Sequence, residues 1–341
     1  MNRELEKLTK WVWSNRDRIM AHARSMDTNV KPHMIRHSKN PGVDMIYNHY
    51  CGGGGVAKCP TQSRSKLNDR AARYQRLILE INSLLPSSRL KIQGNEYVST
   101  NNASRADVIM MRFEDLSDAW FHFKKSNQVG THRIYLNIKE AARLRAFASI
   151  ARRVWDLSGF ATSKVAGPGE TRADTAVFYF CGRQSRDAAL DLITAYVRRH
   201  PNYFNVEVPK LTQKVRGIQG VSTADEPPMK QLIEFKNNNG EIVFGERSVN
   251  QSFGSYRSHL MYMALEKTYG NCRYSLFPGS YYREFKKQVE RYFMAGGINP
   301  NCPSENSVEA RQKVPIKFIS SAEMDKKLRD LERNLKYKRV H

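Results

Sequence analysis

The sequence predicts an α+β fold: a mixed or antiparallel central sheet flanked by helices. Three observations carry this. Short apolar segments with period-two alternation, above all HRIYLNI (132–138) and TAVFYF (175–180), read as strands. Stretches with a 3.6-residue period alternate with them, at 67–85, 139–157 and 185–199. IEFKNNNGEIVFGE (233–246) reads as a hairpin whose Asn-Asn-Asn-Gly supplies residues that accept the positive φ of a tight turn.

Taken in order, residues 3–25 read as a helix, with Leu5, Leu8, Trp11 and Trp13 among basic residues. Residues 41–66 hold Pro41-Gly42, four consecutive glycines (Gly52–Gly55) and Cys59-Pro60, and read as a loop or mobile hinge. The helix over 67–85 sets Leu67, Tyr74, Leu77, Ile78, Ile81 and Leu84 at helical spacing and stops at Pro86. Short strands are expected near 89–93, 97–99 and 108–113. Then come strand 133–138, helix 139–157, strand 175–181, helix 185–199 and strand 204–208. Residues 209–232, with Pro209, Gly217, Gly220, Pro227 and Pro228, read as irregular. Helices at about 255–268 and 280–295 follow the hairpin. The stretch 325–341, with Leu328, Leu331 and Leu335 among charges of both signs, suits an amphipathic terminal helix. The expected organisation is an N-terminal helical region with a Gly-rich loop (1–88), an α+β core (89–307) and a basic C-terminal tail or helix (308–341).

With 341 residues the chain can bury a full core in one large or two smaller domains. A mean hydropathy of −0.63 and 26% charged residues mark a polar surface. No apolar run is long enough to span a bilayer, and MNRELEKLTKWVW lacks the apolar core of a Sec signal. Five scattered cysteines fit a reducing compartment better than a disulfide framework. Lys and Arg number 56 against 33 Asp and Glu, a net charge of +23 that favours anionic partners.

Several chemistries lack a motif. GxSxG, HExxH and GxGxxG are absent. The tetraglycine lacks the Gly-Lys-Ser/Thr ending of a phosphate-binding loop. His33, His37, His49, Cys51 and Cys59 match no common zinc spacing, so neither metal nor cofactor is expected. A nucleic-acid interface is a rival reading: aromatics interleave with bases in YYREFKKQVERYF (281–293) and AWFHFKK (119–125). A core-facing aromatic stripe with a solvated basic face explains both equally well.

A set of cations is more specific. Arg133, Lys164 and Arg172 fall at strand ends or in the loop KVAGPGETRAD (164–174). Arg133, Tyr135 and Asn137 share one strand face, opposite Ile134, Leu136 and Ile138. A solvent-facing edge strand explains that pattern as well as a polar site does. Arg172 and Asp174 lead into the second strand, and Tyr179 lies near its end. In NQSFGSYRSHL (250–260), Gly254 precedes an expected helix with Arg257 in its first turn, an arrangement that suits an anion or an ordinary helix start.

The order RIYLN (133–137), Lys164 before a Gly-Pro loop, RADTAVFY (172–179) and QSFGSYR (251–257) resembles the HopA family. That family comprises type III effectors of plant-pathogenic pseudomonads and lyases of lanthipeptide and thioamide-peptide biosynthesis. The resemblance covers roughly 130–300, taking in VPKLTQKVRGIQGVSTADEP after residue 207 and GGINPNCPSENS (296–307). IYNHYC (46–51) more faintly resembles the family's tyrosine-rich helix.

The resemblance implies a fold like that of the enteric phosphothreonine lyases. It also implies cofactor-free β-elimination of phosphate from phosphoserine or phosphothreonine, which leaves dehydroalanine or dehydrobutyrine, with thioether closure following in some pathways. On this basis Lys164 is the base, and Arg133, Arg172 and Arg257 hold the phosphate by charge-assisted bonds. Asp174 orients an arginine, Tyr179 lines the pocket, and Asn137 and Gln251 bind substrate backbone or a phosphate oxygen. One position departs from the pattern. The enteric enzymes carry a histidine acid on the strand matching 133–138, and by register that residue is Tyr135. Tyr135, His132 or the arginines alone remain open as the acid. The implied partners are a phosphorylated protein or precursor peptide, with a dedicated kinase or a secretion chaperone. The implied location is the bacterial cytoplasm or, after type III secretion, the host cytosol, with no membrane. A phosphopeptide-binding module without turnover and a nucleic-acid binder are the alternatives.

Overall fold

The structure, a computed structural model, describes residues 1–24, 40–52, 63–93, 108, 111–117, 119–236, 242–248, 251–272, 278–314, 319, 323, 326 and 329. Several expected features lie outside the described residues. These are the strand at 97–99, the hairpin turn at 237–240, most of the glycine run, His33, His37, Cys59 and nearly all of the terminal helix.

In chain order the described helices are α1 (Arg3–Ser14), α2 (Arg16–Arg24), α3 (Pro41–Tyr50), α4 (Arg64–Leu84), α5 (Phe113–Ser117), α6 (Arg143–Val154), α7 (Arg183–Arg199), α8 (Phe253–Cys272), α9 (Pro278–Ala295) and α10 (Val308–Gln312). The strands are β1 (Arg89–Gln93), β2 (Trp120–Lys124), β3 (His132–Leu136), β4 (Phe160–Ala166), β5 (Ala176–Phe180), β6 (Gln213–Lys214), β7 (Val221–Asp225), β8 (Lys230–Lys236) and β9 (Ile242–Ser248). The fold is α+β. The chain divides into two compact units, one formed by Met1–Tyr50 with Glu226–His341, the other by Cys51–Asp225.

The second unit is built on a seven-stranded sheet of order β1-β2-β4-β5-β3-β7-β6, antiparallel at every pairing. One face of it is apolar. Phe121 and Phe123 of β2, Ile134 and Leu136 of β3, Phe160 and Val165 of β4, and Phe178 and Phe180 of β5 form one buried cluster with Phe147 and Ile150 of α6, Ile193 and Val197 of α7, and Ile78 and Ile81 of α4. Phe147 sits 5.3 Å from Phe123 and 5.4 Å from Phe178, ring centre to ring centre. Each such side chain contributes about 1.5–3 kcal/mol by leaving water, so the helices are held to this face by burial. With one face given to the core, period two sends the alternate residues of every strand to the other.

Several expectations change. No strand was expected at β4, whose last three residues fall in the expected loop 164–174; its alternation of buried Ala161, Ser163 and Val165 with half-buried Thr162 and Lys164 makes it a strand. β7, inside the expected irregular region, pairs along the whole of β3. The expected strand at 204–208 reduces to a single bridge, Ile138 to Phe204. Among the described residues of 108–113 there is no strand; Val108 is helical and Phe113 opens α5. Residues 41–50 are helix rather than hinge. Asn40 accepts a hydrogen bond from the Gly42 backbone N–H at 2.8 Å and thereby caps α3, and Pro41 occupies the first helical position, where its missing N–H is not needed. The first expected helix breaks at Asn15 into α1 and α2.

The first unit holds α1–α3, α8–α10 and the β8–β9 hairpin. Gly254 of α8 packs against α3: a Cβ there would overlap the Tyr50 ring. The Tyr256 hydroxyl accepts from Leu232 N–H at 3.0 Å and donates to the Gly296 carbonyl at 3.1 Å, tying hairpin, α8 and the end of α9 together.

Candidate functional site

The face of the sheet away from the core carries a row of directly opposed residues that crosses all seven strands: Lys91, His122, Lys164, Val177, Tyr135, Ser222 and Lys214. Opposed residues in antiparallel strands share a face and sit about 4.5–5.5 Å apart at Cβ. The row is open at its ends, where Lys91 and Lys214 are exposed, and closed in its middle, where Val177, Tyr135 and Ser222 are buried.

Lys164 is therefore a strand residue with a fixed neighbour. Its ammonium lies 4.1 Å from the centre of the Trp120 ring, and the Arg172 guanidinium lies 5.6 Å from the same ring. Arg172 is held in turn by Asp174, its Nε and Nη2 each donating to a carboxylate oxygen at 2.9 Å. This two-point fork fixes the guanidinium plane. The loop before Arg172 is pinned from α6: Arg143 donates to the Gly167 carbonyl, and to that of Glu170 at 2.6 Å. Gly167 itself is obligatory, because a Cβ there would collide with the Leu116 carbonyl oxygen. Burial pushes the Glu170 carboxyl above its usual range, against the pull of Arg172.

A second cluster stands two strands away, about 10 Å at the backbone. Arg133, 6% exposed, donates from Nη1 to the Tyr135 hydroxyl at 3.0 Å, and its guanidinium lies 4.9 Å from the centre of the Tyr179 ring. β3 is flanked on both sides by β5 and β7, so these polar residues are not a solvent-facing edge.

His122, directly opposite Lys164, was not singled out from sequence. The residue is half-buried, and its Nε2 is enclosed with no hydrogen-bond partner among the described residues. Burial, then the charges of Lys164 and Lys91, lower its pKa to about 3, so the imidazole is neutral near pH 7. Ser222 Oγ, on the same row, is likewise enclosed without a partner among the described residues. An enclosed polar atom left unpaired costs about 1–3 kcal/mol, and two on one row suit a polar ligand.

The remaining expected residues lie elsewhere. His132 belongs to the core-facing set of β3 and pairs with Asp225 at 3.5 Å. Burial lowers its pKa, Asp225 opposes that, and Arg186 and Arg183 add to it. Asn137 fastens the following segment, donating to the Glu207 carbonyl at 3.0 Å and accepting from Asn205 at 2.9 Å. Gln251 and Arg257 belong to the other unit. Arg257 was expected in the first turn after Gly254. Instead α8 begins at Phe253, and Arg257 is 1% exposed, donating from Nε to the Pro303 carbonyl at 2.6 Å, with its guanidinium 3.5 Å from the Phe253 ring centre.

Among the described residues no group of three or more His, Cys, Asp or Glu could hold a metal ion, and no helix is long and apolar enough to cross a membrane.

No protein-family model matches the chain, and no curated protein matches it. Its fold is similar to two solved bacterial structures. One is the effector protein from Pseudomonas syringae pv. tomato strain DC3000, with a TM-score of 0.51 and 13% identity over 89% of this chain and 100% of that one. The other is the effector protein from Pseudomonas syringae pv. syringae strain 61, with a TM-score of 0.53 and 12% identity over 90% and 99%. At such identity the likeness concerns the fold.

Proposed function

We propose that the protein is a phosphoserine/phosphothreonine lyase of the HopA type. The observation that supports this is the opposition of Lys164 and His122 on neighbouring strands, an amine and an imidazole on one polar face, with Arg172 and Arg133 on the same unit. β-Elimination needs that set: a group to take the Cα proton, a group to protonate the leaving oxygen, and cations to hold the phosphate.

In this scheme Lys164, as the free amine, takes the Cα proton. The electrons of that C–H bond become the Cα=Cβ bond, and the Cβ–O bond breaks with its pair passing to phosphate. His122 supplies the proton that the phosphate oxygen accepts. A bound phosphate dianion reverses the local sign of charge set by Lys91 and Lys164, so the imidazole gains its proton as substrate arrives. Arg172, held flat by Asp174, and Arg133, held by Tyr135, grip the phosphate oxygens. The acid is thus His122 rather than Tyr135 or His132: Tyr135 serves Arg133, and His132 lies on the other face.

The substrate is a phosphorylated protein or peptide. The fold likeness to effector proteins supports a host phosphoprotein reached after secretion; a precursor peptide is the biosynthetic counterpart. The test is incubation with phosphothreonine and phosphoserine peptides. Release of inorganic phosphate with a product lighter by one phosphoric acid supports the reading. Tight binding without a change in mass leaves a phosphopeptide-binding module, and salt-sensitive binding of RNA or DNA with no effect on phosphopeptides overturns it.

A further inference from the structure

The open end of the row is basic without compensation. β1, β2 and β4, reading RLKIQ, WFHFK and FATSKVA, contain no acidic residue. Arg89 and Lys91 of β1 and Lys124 of β2 are exposed on the same face as His122 and Lys164. Arg89 stands directly opposite Lys124, and like charges in that relation destabilise a strand pair. None of the three forms an ion pair among the described residues. A solvated basic surface on a chain of net charge +23 accounts for scattered cations. It does not account for like charges set opposite one another beside the half-buried Lys164, on strands with no acid between them.

We propose that Arg89, Lys91 and Lys124 form a second anion subsite, which binds an acidic or phosphorylated side chain of the substrate about three residues from the target phosphoresidue. This rests on the lyase reading for the position of the target. Lys91 is two strands from Lys164, about 10 Å at the backbone, and an extended peptide rises about 3.3 Å per residue, so a peptide laid across the strands covers that distance in three residues. Both guanidinium and ammonium groups donate hydrogen bonds to carboxylate or phosphate oxygens. The substrate class is accordingly an acidic or doubly phosphorylated segment rather than any isolated phosphothreonine.

The experiment compares phosphothreonine peptides that carry Gln, Glu or a second phosphothreonine three residues before or after the target. Binding by fluorescence anisotropy and phosphate release are measured on the same peptides, with the wild type, Arg89→Gln/Lys124→Gln and Lys91→Gln. The wild type is expected to prefer the anionic peptides about five- to tenfold in both measurements, from three exposed contacts each of modest strength, and less so in high salt. The double variant is expected to lose most of this preference, and Lys91→Gln part of it. Glu matching phosphate identifies a carboxylate-tolerant subsite; phosphate alone being preferred identifies a doubly phosphorylated substrate. Equal handling of all peptides by the wild type, or a preference retained by the folded double variant, overturns the subsite. If phosphate is released from every peptide with equal kcat/KM, the subsite falls and the lyase stands. If the binding preference and its loss are seen without any phosphate release, the subsite stands and the lyase falls.

Discussion

His122 and Lys164 face each other across the β2–β4 pairing, 42 residues apart in sequence and neighbours in the sheet. Neither position alone indicates chemistry. Together they put an amine and an imidazole side by side on one polar surface whose reverse side is the hydrophobic core.

Lys164→Ala is expected to reduce phosphate release by about 10³-fold, within the usual worth of a positioned base, while phosphopeptide affinity changes by only a few fold. Anisotropy and phosphate release on the same protein check this. A variant that loses binding and release together would make Lys164 a phosphate holder instead.

His122→Gln is expected to reduce release by about 10²- to 10⁴-fold and also to alter the dependence of stability on pH. Below about pH 6.5 the imidazole of the unfolded chain takes a proton, which the folded site refuses until about pH 3. The unfolded state therefore binds more protons in that window, and the wild type loses stability as pH falls through it. His122→Gln is expected to show a shallower loss between pH 7 and 4 in urea midpoints. Parallel curves for the two proteins would place the imidazole in solvent.

Asp174→Asn removes the charge-assisted fork on Arg172. Such bonds are worth about 1.5–3 kcal/mol, so KM for a phosphopeptide is expected to rise about ten- to a hundredfold, with a smaller change in kcat. An unchanged KM would mean that Arg172 does not touch the phosphate.

Phe178→Ala creates a cavity on the core side of β5, opposite the polar face. The expected cost is about 3–5 kcal/mol, measured by urea unfolding, with activity per folded molecule retained. Gly167→Ala is expected to lose stability and activity together, because the collision with Leu116 falls one residue after the strand that carries Lys164.

Much of this architecture is readable from sequence where one physical signal dominates. The alternation in β3 announces a strand with a polar face, and the helical stripes of α4, α6 and α7 announce what covers the other side. What escapes has identifiable causes. β4 carries Thr, Ser and Lys and runs into a Gly-Pro loop, so its period-two burial is masked by turn composition. β7, VSTAD, is short and flanked by Gly220 and Pro227. Pro41 looks like a helix breaker yet opens α3. His122 was hidden for a different reason: strand register is a long-range property, and a histidine within an aromatic run reads as core or stacking until its cross-strand neighbour is known. The same holds for Arg257, whose spacing suits an anion site while its burial commits it to Pro303.

The sheet-bearing unit, Cys51–Asp225, is a continuous insertion between the two segments of the other unit. During synthesis its last strand, β7, leaves the exit tunnel before the C-terminal segment of its companion has emerged. β3 cannot pair fully until β7 arrives, so the Arg133 and Tyr135 part of the polar face is completed late within its own unit, whereas the opposition of His122 and Lys164 needs only β2 and β4. A nascent chain stalled beyond residue 225, far enough for that residue to clear the exit tunnel, would then already carry the polar face, whereas one stalled before residue 221 would expose the apolar edge of β3 to chaperones. The order of the chain thereby makes maturation of the protein a vectorial process.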